Sequence, residues 1–272
     1  MRIKELLIKK LGKRQLEQVR TAHDIIGDVA IIEIPKTLIS KEKIIAQAVL
    51  KTNPHIKTVA AKIGGHTGKY RVQKLKILAG EKKSVTTHRE WGLLYKLDVQ
   101  NCYFSPRTGT ERMRIARLVQ PKERVLVMFS GIAPFCLVIA KYSKARQVIG
   151  VEINPIAHKY AFENIEKNKL QNVKLYKGSV SRILPKIGVF DRIIMPLPKS
   201  STRYFDTALL AAKKGTIIHV YVFAKQEMFE EKAKQVLKIC ARLKKTCKIL
   251  NITKTAQTKP REYRICIDMQ VC

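Results

Sequence analysis

From residue 108 onward, short β-branched apolar runs alternate with stretches of helical periodicity, and this alternation constrains the fold more than any other feature. RVLVMF, QVIGVEI and RIIM are near-continuously apolar, as strands buried on both faces are. Residues 111–119, 134–143 and 156–167 lie between or before them and read as helices. Further strands are expected at 173–176, 192–195, 216–222, 246–252 and 263–269. Parallel strands need helical crossovers, so the pattern predicts an α/β fold with a parallel, helix-covered sheet and an added antiparallel hairpin at its end.

The ends of these strands carry the chemistry. Ser130-Gly131 follows the first strand, where a glycine lets backbone approach a ligand and a helix amino terminus favours polar or anionic groups. Glu152 ends the second strand in GVEINP, where a carboxylate can accept both hydroxyls of a ribose; the alternative is a surface carboxylate at a strand end. Only one glycine stands in the turn, whereas a pyrophosphate site wants several. A cofactor with a ribose and no pyrophosphate is therefore preferred, and S-adenosylmethionine meets that description. The third run breaks as FDRIIMPLPKSS. Prolines 196 and 198 remove two backbone donors and fix two φ angles, so the chain leaves the sheet as a stiff loop where open α/β sheets bind ligands.

The preceding residues read differently. Ile3, Leu6, Leu7 and Leu11 predict a short basic amphipathic helix within 1–20, followed by a small α+β module over 21–107. In that module 29–34 reads as a strand, Ser40 as the cap of the helix KEKIIAQAVLKT, and Asn53-Pro54 as its end. The glycine-punctuated strands of 57–97 should turn Lys62, Lys69, Arg71, Lys74, Lys76, Lys82, Lys83 and Arg89 outward. Lys and Arg number 54 against 21 Asp and Glu, a formal net charge of +33, which fits a polyanionic partner, though Lys-rich surfaces also mark hyperthermophile proteomes. The six cysteines form no CxxC pair, so buried thiols in a reducing compartment are expected and no metal site. No run approaches the roughly 20 apolar residues of a membrane span. The expectation is a cytoplasmic monomer.

The segments HDIIGDVAIIEIP, VQNCYFSPRTGTERMRIARLV, VLVMFSGIAPF, VIGVEINPIAHKYAFENI, FDRIIMPLPKSS and KPREYRICIDMQV resemble, in order, those of the archaeal and eukaryotic tRNA (guanine-37-N1)-methyltransferase family. The resemblance implies a Rossmann-like class I methyltransferase domain at 108–272, S-adenosylmethionine as cofactor, and methyl transfer to N1 of guanosine 37 in the tRNA anticodon arm. It implies cofactor contacts from Phe129, Ser130, Gly131, Glu152, Ile153, Ser179 and Pro196, with the paired Pro196 and Pro198 loop between cofactor and target base. The sequence departs from the family at Val127, Ser130, Ile132 and Ala133 in the first turn, at Ser179, and at Pro196, where the loop usually has asparagine. Many family members carry a further amino-terminal domain; with about twenty residues before HDIIGD, that domain is expected to be absent.

Guanine N1 is protonated at neutral pH, so transfer needs a proton acceptor and something to stabilise charge moving onto O6. Arg107 suits the second role, since its guanidinium stays charged and offers directed donors; a phosphate contact or an ion pair with Glu111 are its alternatives. Glu111 is the nearest carboxylate in sequence and the candidate base. Tyr103 and Phe104 read as core rather than as stacking partners of a flipped base. Related wyosine-pathway enzymes, which modify a tricyclic base at the same position, and a non-catalytic tRNA-binding protein with a degenerate methyltransferase fold are the alternative functions.

Overall fold

The computed structural model describes residues 2–199 and 201–272, and the chain divides into two compact units at Pro106 and Arg107. Ser200, within the loop quoted above, lies outside the described residues.

The first unit runs α1 (Ile3–Leu7), α2 (Lys13–Gln18), β1 (Asp24–Ile26), β2 (Val29–Ile32), α3 (Glu42–Thr52), β3 (Thr58–Thr67), β4 (Val72–Gly80), β5 (Val85–Glu90) and β6 (Leu93–Asp98). Strands β1 to β4 form a sheet in sequence order. The pair β2–β3 is parallel because a 3-10 turn at Lys36–Lys41 and α3 carry the chain back between them. Strands β5 and β6 form a separate hairpin through Trp91-Gly92, both at positive φ, as a tight two-residue turn requires.

The amino terminus makes two short helices where one was expected. Gly12 is extended and caps α2, which suits the residue least committed to helix. Ile3, Leu7 and Leu11 are buried in one core with Leu38, Ile45, Val49 and Val59, so this segment belongs to the first unit's interior. Ser40 does not cap α3. It lies in the 3-10 turn, whose Ile39 carbonyl already accepts the Glu42 N–H, so a side-chain cap has nothing to add there. Lys69, Lys74, Lys76, Lys82 and Arg89 are exposed as expected, although Lys76 pairs with Glu42 at 2.6 Å, whereas Arg71 is half-buried and Lys62 and Lys83 are drawn half-buried into ion pairs. Lys62 reaches Glu33 at 3.1 Å and Asp24 at 3.5 Å; Lys83 reaches Asp28 at 2.6 Å and Glu81 at 2.8 Å. Phe104 is core, packed on His88 and Tyr95, whereas Tyr103 is exposed.

The second unit runs α4 (Gly109–Leu118), β7 (Arg124–Met128), α5 (Pro134–Tyr142), β8 (Gln147–Glu152), α6 (Pro155–Lys167), β9 (Val173–Lys177), α7 (Val180–Ile183), β10 (Phe190–Met195), α8 (Phe205–Leu210), β11 (Ala212–Lys225), α9 (Phe229–Arg242), β12 (Cys247–Lys259) and β13 (Glu262–Val271). Its seven strands are ordered β12-β13-β11-β10-β7-β8-β9. The five from β11 to β9 are parallel, and β13 lies antiparallel between β11 and β12. This is the parallel sheet with an antiparallel hairpin at its end that the alternation predicted, and the Rossmann-like arrangement that the family resemblance implied. Helix α9 was not expected from the sequence, although Ala233, Val236 and Cys240 bury one face of it at helical spacing. Strand β12 extends well past 252 as the edge of a long hairpin. Four cysteines are buried, Cys247 is half-buried and Cys272 is exposed, all as free thiols. Among the described residues no helix is long and apolar enough to cross a membrane.

The strand order reverses at β7, whose neighbours are β8 on one side and β10 on the other. Crossovers leave the two sides in opposite directions there, so a crevice opens beyond the carboxyl ends of β7 and β10.

Gly80 gives a stability test for the first unit. Its φ is +80°, and a Cβ would stand 2.0 Å from the Lys57 carbonyl oxygen, so Gly80→Ala forces backbone to move. It should cost more than about 2 kcal/mol in urea unfolding, whereas Gly64→Ala should cost only the left-handed penalty of about 1 kcal/mol. Gly64 has a φ of +66° with nothing within 4 Å of the added carbon. Equal midpoints for the two variants would show that the Lys57 contact does not constrain β4.

Candidate functional site

The crevice at the switch point is lined by the turns that follow the parallel strands. After β7, Phe129, Gly131 and Ala133 take left-handed φ values of 55°, 57° and 68°. Gly131 does so without strain. Phe129 and Ala133 do not, and strain of that kind persists only where surrounding structure fixes it. Ala133 is fully buried and precedes α5, its N–H bonded to the Ser130 carbonyl at 2.9 Å. The Phe129 ring meets Tyr204 edge-on at 5.1 Å.

Glu152, at the end of β8, is 8% exposed, and its two oxygens clamp two turns. Oε2 accepts the Gly131 N–H at 2.7 Å, and Oε1 accepts the Asn154 N–H at 2.7 Å. Asn154 in turn caps α6, its side chain accepting from Ile156 and Ala157 N–H. Burial raises the Glu152 pKa above the usual carboxylate value, while the backbone N–H groups of Asn154, Gly131 and Ile153 pull it back. Ile153 is half-buried beside it, and Ser179 is half-buried after β9, where the Gly178 N–H bonds the Glu152 carbonyl at 2.8 Å. Beyond β10, Pro196, Leu197 and Pro198 are half-buried. The loop is tied down by Ser201, whose hydroxyl lies 3.1 Å from the Met195 carbonyl oxygen and 2.9 Å from that of Leu197.

The topology thus brings Phe129, Ser130, Gly131, Glu152, Ile153, Ser179 and Pro196 to the carboxyl edge of one sheet. The donor set fits a ribose-bearing cofactor. Glu152 is an acceptor-only group with capacity left beyond its backbone bonds, and Ser130 beside it has a buried hydroxyl with no partner among the described residues. Asn154 and Ser201 were missed in the sequence reading; Asn-Pro ahead of a helix, and a serine just past a proline loop, were the available signals.

The remaining candidates lie at the start of α4. Arg107 is exposed on the 3-10 turn Pro106–Thr108 that leads into the helix. Glu111 is 5% exposed and held by a polar network. Arg114 donates Nε to Glu111 Oε2 and Nη2 to Oε1, each at 2.8 Å, and the Tyr221 hydroxyl donates to Oε1. Arg114 also reaches Asp268 Oδ2 at 2.7 Å. Asp268 Oδ1 lies 2.6 Å from His219 Nδ1, and His219 Nε2 lies 2.8 Å from Arg192 Nη1. Arg192 ends the chain on both oxygens of Glu123, at 2.7 and 2.9 Å.

A guanidinium only donates, so Nε2 of His219 is the acceptor and Nδ1 carries the proton given to Asp268. Burial lowers the His219 pKa, in keeping with a neutral ring. Burial alone would raise that of Asp268, but the bonds from His219 and Arg114 override it and hold the carboxyl well below the usual range. His219, Cys266 and Asp268 place donor atoms within 4.8 Å of one another. Arg192 occupies the imidazole and Arg114 the carboxylate, so two cations stand where a metal would need open ligands. Nothing in the sequence reading anticipated this network, though Arg192, His219 and Asp268 interrupt otherwise apolar strands.

Residues 86–250 match the TRM5/TYW2 methyltransferase domain, and residues 3–83 match the TYW2 N-terminal domain. The chain belongs to the TRM5/TYW2 methyltransferase family. A relative from Pyrococcus abyssi, tRNA (guanine(37)-N(1))-methyltransferase Trm5b, is 38% identical over 92% of this chain and 75% of its own length. The tRNA 4-demethylwyosine(37)-methyltransferase Taw21 of Saccharolobus solfataricus is 34% identical over 79% of this chain and 82% of its own. The crystal structure of P. horikoshii TYW2 in complex with MeSAdo superposes with a TM-score of 0.81 at 29% identity, covering 99% of this chain and 97% of that one. The family and the S-adenosyl cofactor expected from the sequence are both borne out by these likenesses.

If Glu152 holds the cofactor's ribose, as its position leads us to propose, it should set the pH dependence of binding. Hydroxyl donors favour the ionised carboxylate, so affinity for S-adenosylmethionine should weaken as pH falls through the raised pKa of Glu152. Glu152→Gln should lower affinity by about 1.5–3 kcal/mol at neutral pH and flatten the acid limb. Calorimetry across pH reads both; an acid limb that survives in the glutamine variant would assign it to another group.

Proposed function

We propose that this protein transfers the methyl group of S-adenosylmethionine to N1 of guanosine 37 in tRNA. The observation that carries the reading is the Glu152 clamp beside the switch point of a TRM5/TYW2-family sheet, which sets a ribose acceptor on one side of the Ser130-Gly131 turn with the proline loop on the other. When bound, the cofactor supplies an electrophilic methyl group. Glu152 would hold its ribose, Phe129 and Ile153 its apolar flanks, and Ser130, Gly131 and Ser179 its polar edges.

The chain's own residues prepare the base. Guanine N1 carries a proton, and removing it pushes negative charge onto O6. Arg107, exposed at the mouth of α4, is the group proposed to meet that charge, and Glu111, four residues on, the group proposed to take the proton. Among the described residues Glu111 Oε2 accepts a single bond, from Arg114, which leaves one acceptor site on that oxygen. Pro196 and Pro198 form a stiff wall that fixes the base by shape. Position 37 sits beside the anticodon within the phosphate backbone, and a net charge of +33 favours binding to that polyanion.

A second reading has its own support: residues 3–83 match the TYW2 N-terminal domain, and proline stands where the loop usually has asparagine. On that reading the substrate is a tricyclic wyosine precursor at the same position. Incubation with unmodified transcripts and with tRNA carrying the tricyclic base, followed by nucleoside mass spectrometry, separates the two. Methylguanosine from the plain transcript supports the first. Modification of the tricyclic base alone supports the second, and tight tRNA binding without any product would leave a binding protein.

Arg107→Ala should lower the single-turnover rate at saturating tRNA by on the order of 100-fold while tRNA affinity changes little, because the interaction strengthens only as charge develops on O6. Arg107→Lys should rescue little, since an ammonium lacks the planar pair of donors. Weak binding with a wild-type rate at saturation would make Arg107 a phosphate contact instead.

A further inference from the structure

We propose that His219 and Asp268, acting through Arg114, are positioning residues for Glu111 in the transfer reaction. The proposal rests on the reading of Glu111 as the acceptor of the N1 proton.

Every link of the chain has a single polarity. Arg192 can only donate to His219 Nε2, so the imidazole can donate only from Nδ1, to Asp268 Oδ1. The Cys266 thiol reaches the same oxygen at 3.1 Å. Asp268 Oδ2 takes Arg114 Nη1, and the planar guanidinium, bridged between two carboxylates, has its orientation fixed. Its Nε and Nη2 grip both oxygens of Glu111, and Tyr221 adds a further bond on Oε1. Of the roughly four acceptor sites of a carboxylate, the one that no described residue fills is on Oε2. The carboxylate can neither rotate nor swap oxygens, so that site faces one way.

Stability alone is a poor account of the network. Buried charge pairs recover little more than their desolvation cost, and apolar residues of similar volume would serve β11 and β13 at least as well. The side chains come from α4, β10, β11 and β13, and the chain of bonds through His219, Asp268 and Arg114 leads to the carboxylate four residues beyond Arg107.

The test uses single-turnover methylation by the full chain at saturating tRNA and S-adenosylmethionine, with both affinities and the melting temperature measured in parallel. His219→Leu removes the donor to Asp268 and should slow the rate by about 10-fold to 100-fold with affinities within about threefold. His219→Asn keeps an N–H able to reach Asp268 and should hold the rate within about threefold of wild type, although both variants deprive Arg192 of its acceptor and should melt earlier alike. Should His219→Leu fail to fold, Asp268→Asn carries the test. With the amide oxygen held by the locked Nδ1–H, the amide NH2 stands where Oδ2 took Arg114 Nη1 at 2.7 Å and sets donor against donor, so the same loss of rate with retained affinity is expected. Equal rates for the leucine and asparagine variants, or a loss confined to tRNA affinity, overturn the proposal. Glu111→Gln separates the two levels. A full rate in that variant removes the reading of Glu111 itself, whereas a slow glutamine variant beside a wild-type rate in His219→Leu removes only the positioning role.

Discussion

A guanidinium buried in the middle of a β-sheet has to be neutralised, and much of the second unit is arranged around that requirement at Arg192. The residue is 4% exposed on β10, flanked by Phe190, Ile193 and Ile194 with no exposed surface at all. Its Nε and Nη2 take both oxygens of Glu123, its Nη2 also takes the Leu118 carbonyl at 2.7 Å, and its Nη1 meets His219. Those partners are the last residue of α4, the residue just ahead of β7, and the neighbouring strand β11. One side chain therefore registers a helix end and three strands against one another. Leaving such a charge without a partner costs several kcal/mol, a large share of a domain's net stability.

The crevice depends on that registration. Strands β7 and β10 are the pair between which the sheet order reverses, and their carboxyl ends carry the Ser130-Gly131 turn and the proline loop. Arg124 reinforces the same alignment from the strands' other ends, donating to the carbonyls of Ile187 and Val189 while its own N–H bonds Asp191. With the strands fixed, Glu152 on β8 can bond two turns at once, and the left-handed Phe129 and Ala133 are held in place. The Asn164 side chain adds a tie from α6 to the Ile132 carbonyl at 3.2 Å, close to the strained residue.

What could be read from the sequence follows from this division of labour. Buried parallel strands must be apolar throughout, so RVLVMF, QVIGVEI and RIIM announced the sheet, and ligand-binding turns sit at strand ends, so Gly131 and Glu152 were legible by position. Local signals failed where tertiary contacts replaced them. Ser40 has the chemistry of a cap, but a 3-10 turn had already satisfied the helix. Lys62 and Lys83 look like surface charges until β1, the β1–β2 turn and the residues just after β2 and β4 bring carboxylates to them. The network through Arg114, His219 and Asp268 was not legible because its members are up to 154 positions apart and each, taken alone, reads as a polar interruption of an apolar strand.

Under the proposed function, the hydrogen bonds within the proline loop limit how the site can choose its base. Pro196 and Pro198 have no N–H, the Leu197 N–H is spent on the Met195 carbonyl, and the carbonyls of Met195 and Leu197 both face the Ser201 hydroxyl. If this loop lies between cofactor and base, as proposed, it has little to offer a Watson–Crick edge, and asparagine at position 196 would have offered an amide. Selection by this loop is therefore selection by shape and apolar contact, which a flat guanine or a larger tricyclic base can both satisfy. On the proposed roles, discrimination by hydrogen bonding would fall to the start of α4, with Arg107 as donor and Glu111 as acceptor with one open direction. A base lacking a proton at N1 would leave that acceptor unpaired and buried, a penalty of about 1–3 kcal/mol that shape alone would not impose.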